Sequence, residues 1–239
     1  DTGLEVIEAT DVTLPPNTTV SVTYVVSYDS LVEAGQTWDT WLAGDKIENT
    51  FVASYTDPAD PSKVLSVSSN ETSDVLPQYY AVDAEDDGKG TGTPSSGENA
   101  NNGEDDGTAT DDEQYVAAVP TGAEVLFTHV ITNKGNGDDV FNLGVTNTDF
   151  PDGTIFTFWD STNTVQITDT DNDGVPDTGT LGFGEKETIV IRAKLPAGKD
   201  DSTESPADGY NAVLTATSAN ARNDADATND NDTTHLKLG

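Results

Sequence analysis

Alternation at period two is the feature that most narrows what this chain can become. In "TTVSVTYVVSY", residues 18–28, Val20, Val22, Tyr24, Val26 and Tyr28 share one face, with Ser21 and Thr23 on the other. "EVLFTHVITN" repeats the plan with Val125, Phe127, His129 and Ile131, and "ETIVIRAKL" with Ile189, Ile191, Ala193 and Leu195. Successive side chains of a strand point to opposite faces, so such runs build half-buried pleated surfaces, which suit Val, Ile, Thr and Tyr. Turn chemistries separate them: "LPPN", "KGNGDD", "FPDGT" and "LPAGKDD". Helical periodicity is confined to "DSLVEAGQTW", room for one short turn. The pattern predicts an all-β chain of two tandem Ig-like antiparallel β-sandwiches.

A break divides the two. Residues 83–113 hold eleven acidic residues and no large apolar side chain, too little apolar surface to offset the entropy of ordering. This predicts a domain at 1–82, an acidic Gly/Asp-rich linker or cation-ordered loop at 83–113, and a second domain at 114–239. The cation-ordered version rests on "DAEDDG" and "NGEDDG", which space Asp83, Glu85 and Asp87, and Glu104 and Asp106, ahead of a glycine. Either side of the break, an alternating strand follows a Pro-containing turn ("LPPNTT", "VPTGAE"). A strand of alternating small and apolar residues and a Ser/Asn-rich segment then close each half ("NTFVASYTDP", "NAVLTATSANARNDADATND"). The likeness is one of pattern, and it reads as a duplication.

The best-defined chemistry is "DTDNDGVPDTG", residues 169–179. Asp169, Asp171 and Asp173 alternate, Gly174 permits a sharp turn at the sixth position, Val175 can offer its carbonyl at the seventh, and Asp177 follows at the ninth. Every donor is a hard oxygen, which suits Ca2+ rather than zinc or copper, and Mg2+ less because it wants a smaller octahedral site. The bidentate Glu of an EF-hand is missing, since position twelve is Thr180, and no helical pattern flanks the loop. Without a cation the carboxylates repel one another. The expected role is a calcium clip between two strands; the bland alternative is an acidic hairpin that binds nothing.

Charge excludes partners. Ten basic against 44 acidic residues give a formal net charge of −34 among 239 residues. Such a surface repels nucleic acid and anionic membranes, and attracts cations. A halophilic origin produces the same bias. There is no cysteine to form a disulfide. No methionine occurs, even at position 1, so the chain reads as processed. No apolar run long enough to span a membrane as a helix is present. An extracellular or cell-surface location is expected.

"GAEVLFTHVITNKGNGDDVFNLGV", "FPDGTIFTFWD" and "LGFGEKETIVIRAKLPAG" resemble the bacterial and archaeal surface-repeat family of the domain-of-unknown-function 11 type. The match covers residues 115–222, and residues 4–76 more loosely, where the "TNxGNG" turn is absent. The aspartate run resembles the calcium loops of thrombospondin type-3 repeats. The resemblance implies an Ig-like sandwich, export, and a structural or adhesive role without catalysis.

No enzyme is expected: no phosphate loop or "GxSxG" occurs, and with carboxylates everywhere no pair stands out. His129 falls on an apolar strand face and reads as a packed, hydrogen-bonded core residue; His235 lies in "DTTHLKLG". Trp159 in "TIFTFWD" reads as core, whereas Trp38 and Trp41 leave a sugar-stacking platform open. Asn17, Asn70 and Asn231 stand in N-x-[ST] sequons and are candidate glycosylation sites. The expected function is a calcium-stabilised subunit of an extracellular filament or array. It would join copies of itself head to tail, or other surface proteins, by strand addition from "TGLEVIEATDVTL" or "DTTHLKLG". The alternatives are stalk repeats of a larger surface adhesin, and a glycan-binding module.

Overall fold

The alternating run at residues 124–133 becomes the strand around which the core is organised. In the computed structural model, which describes residues 42–86, 113–198, 210–221 and 231–238, Glu124–Asn133 pairs antiparallel with Lys186–Lys194. We number the strands in chain order: β1 Lys46–Asn49, β2 Val52–Asp57, β3 Asp60–Ser68, β4 Thr72–Val75, β5 Val82–Asp86, β6 Glu113–Val116, β7 Glu124–Asn133, β8 Asp139–Asn147, β9 Ile155–Asp160, β10 Asp177–Leu181, β11 Lys186–Lys194, β12 Tyr210–Ser218 and β13 Asn231–Leu238. No α-helix occurs among the described residues.

Two sheets face each other across one apolar core. The four-stranded sheet runs β5-β7-β11-β9 and the five-stranded sheet β10-β8-β12-β13-β6. All pairings are antiparallel except β13 with β6, which is parallel. Val125, Phe127 and Ile131 of β7, with Ile189, Ile191 and Ala193 of β11, meet Phe141 and Leu143 of β8, Leu214 and Ala216 of β12, and Leu236 and Leu238 of β13. Phe150 joins the layers, with edge-on ring contacts to Phe127 and Phe156 of the four-stranded sheet and a tilted one to Tyr210 of the five-stranded sheet.

A strand crosses the position 82/83. Residues 82–86 form β5, which pairs with β7 from Val82 opposite Asn133 to Asp86 opposite His129, and Val82 and Ala84 enter the core. Two small inward side chains suffice to make an otherwise acidic stretch a strand. The sandwich therefore takes a strand from before the acidic insert. The C-terminal "DTTHLKLG" is likewise an interior strand, β13, held by β12 on one side and β6 on the other.

Ahead of the sandwich, β1–β4 and β2–β3 form two antiparallel two-stranded ribbons. Their apolar residues Phe51, Val52, Tyr55, Val64 and Val67 are exposed. The chain between ribbons and sandwich is pinned by the turn after β7. Asn136 accepts from Tyr79 N at 2.6 Å and donates to Pro77 O at 3.1 Å. Gly135 packs so closely that a Cβ there would sit 2.6 Å from Tyr79 O. Buried Asn133 closes the turn, accepting from Gly135 N and donating to the carbonyls of Gly137 and Leu181. These bonds explain the "TNKGNG" composition.

Candidate metal centre: the loop joining the two sheets

Residues 161–176 carry the chain from β9, an edge strand of the four-stranded sheet, to β10, an edge strand of the five-stranded sheet. The crossing begins with a cap. Asp160 accepts from Thr164 N at 2.7 Å, Val165 N at 2.9 Å and Thr162 Oγ1 at 2.5 Å. These bonds, the Thr162 hydroxyl first, hold its carboxyl down at about 2. The chain then doubles back along the end of β9: Asp160 N donates to Val165 O and Ile167 N to Phe158 O, each at 2.9 Å.

The aspartate loop follows. Asp169 accepts from the backbone N–H of Asn172 at 2.6 Å, Asp173 at 3.3 Å and Gly174 at 2.9 Å, so the loop is wound around this carboxylate. Asn172 and Gly174 take positive φ angles, 66° and 96°, as that winding demands. The Gly174 bond leads in holding the Asp169 carboxyl below its ordinary value. Asp177, at the start of β10 and only 1% exposed, accepts from Thr170 N at 2.6 Å, Thr170 Oγ1 at 2.5 Å and Gly179 N at 2.6 Å.

Asp169, Asp171 and Asp177 converge, each offering a carboxylate oxygen within 4.8 Å of the others; among the described residues theirs is the one such group. Asp173 does not join them. Its carboxylate accepts from Asn142 Nδ2 of β8 at 2.7 Å and from Val175 N at 2.9 Å. Alternation alone therefore overstates the cluster, because a side chain on the neighbouring strand draws one carboxylate away. Val175 is half-buried beside it. The Asp171 carboxyl is raised, by desolvation first, with the charges of Asp173 and Asp177 adding to it. No Lys or Arg lies between Asp160 and Lys186, so nothing in the loop's own sequence offsets this charge. An all-oxygen donor set of three converging carboxylates fits a hard divalent cation, Ca2+ before Mg2+.

Of the looser acidic candidates, Asp83 and Glu85 lie on β5 rather than in a loop, with Asp83 paired to Lys134; Asp87, Glu104 and Asp106 lie outside the described residues. Asn70 is exposed, and its Nδ2 donates to Glu71 O at 3.3 Å. Asn231 opens β13, and Asn17 lies outside the described residues.

His129 is fully buried in β7. Burial pushes its imidazole down to about 3, against a backbone hydrogen bond with Glu85, so it stays neutral. Trp159 is not core: Phe158 takes the inward position and Trp159 the outer face, half-buried. Its ring is covered by the Arg192 guanidinium 3.5 Å from the centroid. Arg192 is held there by Asn163 Oδ1 at 2.5 Å and Asn163 O at 2.6 Å. Trp38 and Trp41 lie outside the described residues. Sequence reasoning missed Thr170 and Asn142. Thr170 sits inside the motif and its hydroxyl marked it as a partner; nothing local marks Asn142.

No family model matches the chain, and no curated protein matches it. Among solved structures, a family 123 glycoside hydrolase from Clostridium perfringens, described in a study of glycolipid glycan hydrolysis, is similar at a TM-score of 0.30 and 12% identity. The match covers 53% of this chain and 22% of that one. The chain thus spans about a fifth of that enzyme's length, and a likeness this loose carries neither fold nor activity across.

Proposed function

We propose that the chain is an extracellular structural protein, a calcium-stabilised subunit of a surface filament or array built from tandem Ig-like sandwiches. The observation that carries the reading is where Asp169, Asp171 and Asp177 converge: on the connection between the edge strands of the two sheets. Asp177 belongs to β10, whereas Asp169 and Asp171 belong to the segment that leaves β9. An ion held by all three ties one sheet edge to the other. That is an architectural role, and it suits a chain without disulfides.

Assembly is by strand addition between copies. β13 is already enclosed by two neighbours, so the C-terminal segment is not the donor, and "TGLEVIEATDVTL" at residues 2–14 takes that role. The acceptor is an edge strand. Among the described residues β9 has no strand partner on its outer side from Ile155 to Thr157, and Ile155 is 62% exposed there. Such a head-to-tail contact does not close on itself and therefore propagates. Electron microscopy of native material in millimolar calcium and in chelator tests the reading. Regular filaments in calcium, with a repeat matching one subunit, support it. Dispersed particles or irregular stalks under both conditions overturn the filament and favour a repeat segment of a larger adhesin.

A further inference from the structure

The turn after β7 brings an amine onto a dry carboxylate. Lys134 N donates to Ala81 O at 3.0 Å and Gly135 N to the same oxygen at 3.2 Å, while Asn133 pairs with Val82. The backbones of Lys134 and Asp83 are thus fixed against each other. Lys134 Nζ lies 2.8 Å from Asp83 Oδ2, and the Asp83 side chain is only 6% exposed. Glu85 lies two residues along β5 and so on the same outward face as Asp83. Burial first, then the neighbouring Asp83, push the Glu85 carboxyl up to about 7, against Lys186 and Lys134. The site therefore brings together an amine, a desolvated acyl carbon and a carboxyl group raised towards neutral pH.

We propose that Lys134 Nζ and Asp83 Cγ condense to an intramolecular amide, with Glu85 as the catalytic proton carrier. Proton transfer within the Lys134–Asp83 ion pair gives the neutral amine and acid. Nζ attacks Cγ, Glu85 protonates the departing Asp83 hydroxyl, and water leaves. The Glu85 carboxylate then takes the surplus proton from Nζ and regains its starting form. One C–N bond forms, one C–O bond breaks, one water is released, and no oxidant or cofactor is needed. Fixed geometry stands in for activation of the acid, since well-oriented groups react as though at concentrations of order 10⁵ M or more. The Lys134 side chain is 53% exposed, so the site closes around the acyl carbon rather than the amine, and the released water has an exit.

The bond would lock β5, the strand through which the ribbons join the sandwich, in a chain with no cysteine to do so. It does not depend on calcium or on filament assembly.

Intact-mass spectrometry of the denatured full chain, followed from purification until the mass stops changing, is the test. The expected mass is one water below that of the sequence, and digestion should release one branched peptide containing residues 83 and 134. Lys134→Arg, which keeps the charge but offers no comparable amine, should show the full mass. Glu85→Gln should slow the loss of water at least a hundredfold, the usual scale of a positioned acid–base. A folded wild-type chain that stays at full mass overturns the proposal. So does water loss without the branched peptide, as a succinimide would give, or a link made through Lys186. Bond formation at the wild-type rate in Glu85→Gln overturns the role of Glu85.

Discussion

Two groups of carboxylates in this chain are treated in opposite ways. In the 169–177 loop the backbone curls, and its free N–H groups turn onto the acids: three reach Asp169, and two more, with the Thr170 hydroxyl, reach Asp177. On β5 the backbone is engaged in the ladder with β7, so Asp83 and Glu85 meet side-chain charges, Lys134, Lys186 and each other, instead of backbone donors. The loop keeps its charge and invites a cation; the strand relieves its charge by keeping a proton. Residue type is the same in both. What differs is whether backbone donors are free to face the acid.

The largest test removes the most buried of the converging acids. Asp177→Ala takes the buried acceptor away from Thr170 N, Thr170 Oγ1 and Gly179 N. The loss of three bonds to one buried carboxylate costs about 2–3 kcal/mol in total, readable as a lower denaturant midpoint. A loss under about 0.5 kcal/mol would mean that the loop refolds without Asp177. Next comes the ion itself. With an affinity in the weak extracellular range, about 10⁻⁴–10⁻³ M, some 5 mM Ca2+ should add about 1–2 kcal/mol, raising the melting temperature by a few degrees over chelator. Asp171→Ala, which removes one converging carboxylate without stripping a buried donor, should abolish that rise. An equal rise in wild type and variant would place the calcium effect elsewhere on the acidic surface.

The strand predicts the opposite dependence on protons. Glu85 is raised from 4.5 to about 7 in the folded chain, so the folded state binds more protons than the unfolded state between those values. Its contribution is fully present below 4.5 and is lost as pH rises through 7. Glu85 is only half-buried, and with solvent screening the effect is about 1 kcal/mol. The comparison is made in Lys134→Arg, where Asp83 keeps its carboxylate. Between pH 5 and 8 this variant should lose stability more steeply than Lys134→Arg/Glu85→Gln. Parallel curves would show that Glu85 titrates as an ordinary surface acid.

How much of this was legible depends on whether local pattern or distant contact decides. β7 and β11 match the runs quoted from alternation, because each residue's face follows from its neighbours in sequence. The convergence of Asp169, Asp171 and Asp177 was legible for the same reason, since the three lie within nine residues. β5 was not: its inward residues are Val82 and Ala84, too small to stand out among acids, and only β7 makes them a strand. Trp159 was misplaced because two adjacent aromatics, Phe158 and Trp159, straddle the alternation. Burial favours Phe158, which has no polar atom, whereas the Trp159 indole N–H finds Thr157 Oγ1 at 2.9 Å on the outer face. Asp173 stands apart from the other three because its carboxylate accepts from Asn142, 31 positions away.

Asp173 therefore supplies the smallest and most discriminating test. Its carboxylate is exposed and bonded to Asn142 Nδ2 across the loop, an interaction between solvent-accessible groups that contributes about 0.5–1 kcal/mol. Asp173→Ala should lower stability by about that much and leave the calcium-induced rise in melting temperature nearly intact. Asp173→Asn should lower stability less still, since an amide oxygen can accept from Asn142 in place of the carboxylate. If Asp173→Ala instead removes the calcium response as completely as Asp171→Ala, the carboxylate must leave Asn142 and turn inward when the ion binds. The ligand set would then be the four alternating acids that the spacing predicts, and the geometry described for the loop would be its cation-free arrangement.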